Sequence, residues 1–180
     1  MAEPTAFRLS ADQGKSAYQR GDYLAAAGHF TAAAAAYHQA GDPLMAAEMH
    51  NNASVAYLQA GNAGNALAEV AGTPETFAAA GDLHRQAMAV GNQAAALEGL
   101  KRIEEALEAY ELSADLFKQA GESDLRLHAQ QARSALLLTS GRQLQAVAAM
   151  KSGLDDIQKP TPKQRLIRRL LDIPFNLWRK

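Results

Sequence analysis

The chain has 180 residues and a formal net charge of −1, with 48% hydrophobic but only 6% aromatic residues, so its apolar content is dominated by Ala, which favours tightly stacked helices. The absence of Cys excludes disulfides, thiolate metal sites and Cys nucleophiles. No run of eighteen apolar residues occurs, and MAEPTAFRLS lacks a basic segment followed by an apolar one, so neither a membrane span nor a signal peptide is expected and the expected compartment is the cytoplasm.

Turn signals recur along the chain at Gly21, Gly41, Gly61, Gly81, Gly121 and Gly141, a step of twenty residues broken only by Lys101. Gly just past a helix supplies the left-handed conformation that ends it, and Asp22, Asp42, Asn62 and Asp82 stand where a side chain caps the next helix. About eighteen residues between turns make roughly 27 Å of helix, and such short connections imply antiparallel neighbours. The unit is then a helical hairpin of forty residues.

At that period Ala26, Ala66, Ala106 and Ala146 fall in one column. Four residues on come Phe30, Val70, Tyr110 and Met150, and seven beyond those Tyr37, Phe77, Phe117 and Ile157. The helices before the turns align as well, with Gly14, Ser54, Ala94 and Ser134 in a small column and Ala17, Tyr57, Leu97 and Leu137 three residues on. Small residues at a crossing with large ones beside them are how packed helices interdigitate. Two irregularities stand out. Lys101 in place of the turn Gly predicts a looser or longer connection, and AGTPETF predicts a kink in the second unit, with Thr73 capping a new segment that has Pro74 at its first position.

These columns resemble the tetratricopeptide repeat, in which a small residue, an aromatic three on, a turn, an Ala and a further large residue recur; in the second unit these are Ser54, Tyr57, Ala66 and Val70. The forty-residue spacing is similar to the long-helix branch, such as SNAP-type and kinesin-light-chain-type arrays. The likeness covers about residues 5 to 157. It departs from the short repeat at Ser10, His50, Val90 and Gln130, where the family has Trp, and at His38, Ala78 and Lys118, where it has a late Pro. What it implies is an all-α, right-handed α-solenoid of about four antiparallel hairpins over residues 1–158, followed by a basic amphipathic helix over 159–180.

No constellation for catalysis emerges. GNAGNA at 61 to 66 lacks the strand and the Lys-Ser/Thr of a phosphate loop. His29, His38, His50, His84 and His128 show no zinc spacing on one helix. Glu104, Glu105, Glu108, Glu111 and Asp115 crowd one helix as an exposed acidic stripe, either solvated or a docking strip for a basic partner or the chain's own tail. The chain therefore reads as a non-enzyme without cofactor or metal, and its body does not read as a nucleic-acid binder.

Asn52 and Asn92 fall in one repeat column, with Asn51, Gln93, Gln130 and Gln131 near it on the first helix of each hairpin. In repeat arrays of the resembling kind, first helices line a concave face where amides bond the backbone of an extended peptide. Asn51, Asn52, Tyr57, Asn92 and Gln93 are thus the expected contacts for a protein or peptide partner, with Gln130 and Gln131 beside them. The competing reading is that such amides tie neighbouring units together. The carboxylate clamp of some tetratricopeptide proteins is not expected: only Lys15 and Asn52 approach its residue types, and Ala11, Met88, Ala95 and Ala132 stand where polar groups are wanted.

Residues 159–180 carry seven Lys/Arg against Asp172 alone, a charge of +6 set against −7 for the rest. After the stiff KPTP linker, Leu166, Ile167, Leu170, Leu171 and Ile173 oppose Arg165, Arg168, Arg169 and Asp172; Pro174 ends the helix before Phe175, Leu177 and Trp178. Arg165, Leu166, Arg168, Arg169, Leu170 and Trp178 are its candidate contact residues. Three fates are open for this segment: a cap on the array, an anchor on an anionic membrane, or a helix for a partner's groove, a second copy of the chain included. The expected function is a protein-interaction scaffold or adaptor, with a peripheral membrane tether as the alternative.

Overall fold

The computed structural model describes residues 4–172, and among them the chain is all-helical. The helices are α1 (Pro4–Gln19), α2 (Tyr23–Gln39), α3 (Pro43–Gln59), α4 (Ala63–Val70), α5 (Thr73–Ala79), α6 (Leu83–Gly99), α7 (Ile103–Gln119), α8 (Ser123–Thr139), α9 (Gln143–Asp155) and α10 (Pro162–Leu171). Packing follows chain order except at the break between α4 and α5, where both helices lie against α6; α3 reaches further to α5 and α6. Among the described residues no helix is long and apolar enough to cross a membrane.

The twenty-residue step has one physical cause. At each turn the central Gly has φ between 70° and 81°, and the residue after it donates its N–H to a carbonyl five positions back, as in Asp42 to Tyr37 at 3.0 Å and Glu122 to Phe117 at 2.9 Å. This closes the last turn of one helix, and the acceptor is the column residue, large at every turn but the first, where it is Ala17. Asp22, Asp42, Asn62 and Asp82 then accept from Ala25, Met45, Asn65 and Arg85 N–H, so all four predicted caps form. Glu122 makes no such cap; its carboxylate accepts from His84 Nδ1 at 2.7 Å instead.

Lys101 corrects one expectation. Its φ is 63°, and its N–H and that of Arg102 bond to Glu98 and Leu97 carbonyls at 2.9 Å, as at a glycine turn. The connection is no longer than the others; the hydrogen bonds hold a side-chain-bearing residue in the left-handed region despite its steric cost. The AGTPETF segment carries the expected interruption but corrects the expected cap. Helix breaks fully at Ala71 (ψ 129°) and Gly72 (φ 78°), and the Thr73 hydroxyl donates back to the Val70 carbonyl at 2.9 Å instead of capping α5. Pro74 lies in the first turn of α5, where a missing N–H costs nothing.

The core runs between the helices as the columns require. Ala26, Ala66, Ala106 and Ala146 are buried, as are Phe30, Val70, Tyr110, Tyr37, Phe77, Phe117 and Ile157. In α2, Ala26, Ala27, Ala33 and Ala34 are wholly enclosed around Phe30 between α1 and α3, so its Ala content serves close helix approach. Gly14 shows how close: a Cβ there would stand 2.8 Å from the Phe30 ring.

Polar links between units repeat nearly one unit apart. Thr31 Oγ1 donates to Glu69 Oε1 (2.9 Å), His84 pairs with Glu122, and Arg142 pairs with Glu104, each 38 positions apart. Arg133 adds a bond to Glu111 at 2.8 Å. Two carboxylates of the acidic stripe are thus met by arginines of α8 and of the α9 cap position, and Glu105 by Arg102 one turn before it. None is met by the described part of the tail, whose ion pairs go to Asp155 and, through Asp172, to Lys151.

The start of α10 is fixed by a capping box, in which Thr161 accepts from Gln164 N–H while Gln164 Oε1 accepts from Thr161 N–H. Ile167 and Leu171, with Met150, pack on the cluster of Leu127, Leu154 and Ile157. The predicted apolar face is therefore split, since Leu166 and Leu170 remain exposed. Ile173, Pro174, Phe175, Leu177 and Trp178 lie outside the described residues.

Candidate functional site

The helices that precede the turns supply the site. Lys15, Tyr18 and Gln19 of α1, Asn52 and Val55 of α3, and Met88 of α6 surround a cavity of about 380 Å³, together with Phe30 of α2. An adjoining cavity of about 440 Å³ is lined by Glu48, Asn51 and Asn52 of α3, Phe77 of α5, Asp82, and His84, Arg85 and Met88 of α6. Asn52 and Met88 belong to both, so the two form one groove crossing three first helices.

Its two ends differ chemically. Toward α6 the charges are already matched: Arg85 Nε donates to Asp82 Oδ2 at 2.6 Å, its Nη1 reaches Glu48 Oε2 at 3.3 Å, and its guanidinium lies 5.2 Å from the centre of the Phe77 ring. The backbone N–H and guanidinium of Arg85 hold the Asp82 carboxyl below the usual carboxylate range. Toward α1 the lining is mainly apolar, from Tyr18, Phe30, Val55 and Met88, with Lys15, Gln19 and Asn52 as the polar groups. Met88 is 41% exposed although it is a large hydrophobe on a helix with a buried face. Thioether side chains suit contacts that must adapt to a partner.

The predicted amides fall into different surroundings. Asn52 lines both cavities. Asn51 is buried and accepts from Asn92 Nδ2 at 2.8 Å, which ties α3 to α6 and uses both side chains for holding units together. Tyr57 packs against the first core cluster, Gln93 is half-buried, Gln130 is buried and Gln131 is exposed on α8; none of the four lines either cavity. Gln130 Oε1 has no hydrogen-bond partner among the described residues.

Lys15, Tyr18, Val55 and Met88 are not among the partner contacts that the sequence predicts. A signal for them exists in the repeat: Lys15 and Val55 share one forty-residue column, Glu48 and Met88 another, and all lie on first helices. In the sequence Met88 stands out only as a departure from the clamp. An apolar residue at a position facing a groove is instead the mark of a groove that accepts apolar side chains. Among the described residues no group of three or more His, Asp or Glu is placed to hold a metal ion.

No protein-family model and no curated protein matches the chain.

Proposed function

We propose that the chain is a tetratricopeptide-like, right-handed solenoid of four antiparallel hairpins that works in the cytoplasm as a non-catalytic interaction scaffold. It takes an extended peptide or short helix of a protein partner along the groove of α1, α3 and α6. The observation that carries this reading is the convergence of three successive first helices on one groove whose exposed centre is Met88 beside Asn52.

An apolar side chain of the partner displaces water from Tyr18, Val55 and Met88, and burying one of Leu size contributes about 1.5–3 kcal/mol. The Asn52 amide offers one acceptor and two donors to the partner's backbone, which fixes register. The already paired Arg85, Asp82 and Glu48 supply a polar rim at the other end.

The test is to select peptides from a random display library on the full chain and measure their affinity by fluorescence anisotropy. Met88→Glu should weaken the selected peptides at least about tenfold, since it sets an unpaired charge against an apolar side chain. Leu112→Glu, an exposed position on α7, should leave them unchanged. Equal affinity for wild type and Met88→Glu would place binding elsewhere.

A further inference from the structure

We infer that the outer face of α10 is a docking surface for an anionic lipid bilayer. Ile167 and Leu171 are spent on the end of the array, packed against the cluster of Leu127, Leu154 and Ile157. Arg168 pairs with Asp155 at 3.0 Å, and Lys151 pairs with Asp172. These contacts fix which side of the helix points away. On that side Leu166 and Leu170, one turn apart, are 58% and 48% exposed.

The cations around them are unmatched. Lys163, Arg165 and Arg169 are exposed, and none has a carboxylate partner among the described residues. The nearby carboxylates are engaged from within: Asp155 by Arg168, Asp156 by Arg126 at 2.7 Å, and Asp172 by Lys151. The outer face is thus two leucines framed by three positive charges that no carboxylate among the described residues pairs. Lys159 adds a fourth in the linker.

That combination fits a bilayer better than a protein groove. A helix of ten residues is about 15 Å long, and two leucines offer far less apolar area than the roughly 800 Å² per side of a stable protein interface. An interfacial helix needs only shallow insertion of its apolar face, with electrostatic attraction supplying the rest. The capping box and Pro162 form the helix before it meets the surface, which lowers the ordering cost. Binding of this kind is weak, reversible and sensitive to salt, each basic residue near the surface contributing about fivefold. It does not depend on the groove of α1, α3 and α6.

The experiment is co-sedimentation of the full chain with phosphatidylcholine vesicles, with and without about one-third phosphatidylserine. The full chain should pellet with the anionic vesicles at low salt, be released as salt rises, and ignore phosphatidylcholine alone. Lys163→Gln with Arg169→Gln, and separately Leu166→Ala with Leu170→Ala, should each lower partitioning about tenfold or more. Both pairs should melt as wild type, because all four side chains are exposed, whereas Ile167→Ala should melt lower. Failure of the full chain to pellet, or unchanged pelleting of both double variants, overturns the inference. Retention on polyglutamate beads without vesicle binding also overturns it, and puts an acidic protein in the lipid's place.

Discussion

The side-chain amide of Asn92 donates to Oδ1 of Asn51 at 2.8 Å, joining α6 to α3 across the boundary of two repeat units. Asn51 is only 8% exposed, so water from the groove replaces a lost donor there poorly. Asn92→Ala should therefore cost about 1–3 kcal/mol of unfolding free energy in urea. Asn52→Ala, one position along in the groove, should leave the urea midpoint unchanged and weaken a selected peptide. If Asn92→Ala unfolds at the wild-type midpoint, the pair does not hold the units together.

Lys101 occupies the left-handed region at φ 63° where the other turns use Gly. Lys101→Gly relieves that strain but adds freedom to the unfolded chain, for a net gain of about 0.5–1 kcal/mol. Gly121→Ala, at φ 75° in the equivalent turn, should lose about 1 kcal/mol or more. Thermal melts of the two variants should move in opposite directions.

Helical glycines separate by what surrounds them. A methyl at Gly14 would stand 2.8 Å from the Phe30 ring, so Gly14→Ala should destabilise by about 1–3 kcal/mol and disturb the groove that Phe30 lines. A methyl at Gly28, on the exposed side of α2, would meet nothing within 4 Å, and Gly28→Ala should stabilise by about 0.5–1 kcal/mol. Calorimetry of both variants checks the contrast.

Glu69 accepts from Thr31 Oγ1 at 2.9 Å and from His50 Nδ1 at 2.7 Å. Burial raises its pKa, but the bonds from His50 and Thr31 outweigh that and leave it below the ordinary 4.5. A carboxyl with a depressed folded-state pKa contributes stability that is full above 4.5 and is lost as pH falls through the lowered value. Glu69→Gln should lower stability at neutral pH and flatten the acid side of the stability curve. An acid limb as steep as wild type in Glu69→Gln would show that other carboxylates set it.

The columns spaced at twenty and forty residues made the helices, the turns, the four caps and most of the core legible, because each rests on local chemistry that recurs: Gly after a helix, Asp or Asn before the next, Ala opposite a ring. Lys101 escaped because hydrogen bonds at Glu98 and Leu97 carbonyls enforce a turn that its side chain disfavours. Thr73 escaped because the break falls two residues earlier, at Ala71 and Gly72. Within the candidate site, Asn52 could be read from its column. Whether an amide faces the groove or its neighbour, as Asn92 does Asn51, depends on how two units abut, and no single unit's sequence carries that.

The groove itself is tested most directly by amide chemical-shift mapping of the isotope-labelled full chain titrated with a selected peptide. Shifts should cluster at Lys15, Tyr18, Asn52, Val55 and Met88, across α1, α3 and α6. Shifts confined to α7 and α9, around Leu112 and Leu144, would contradict a groove on the first helices.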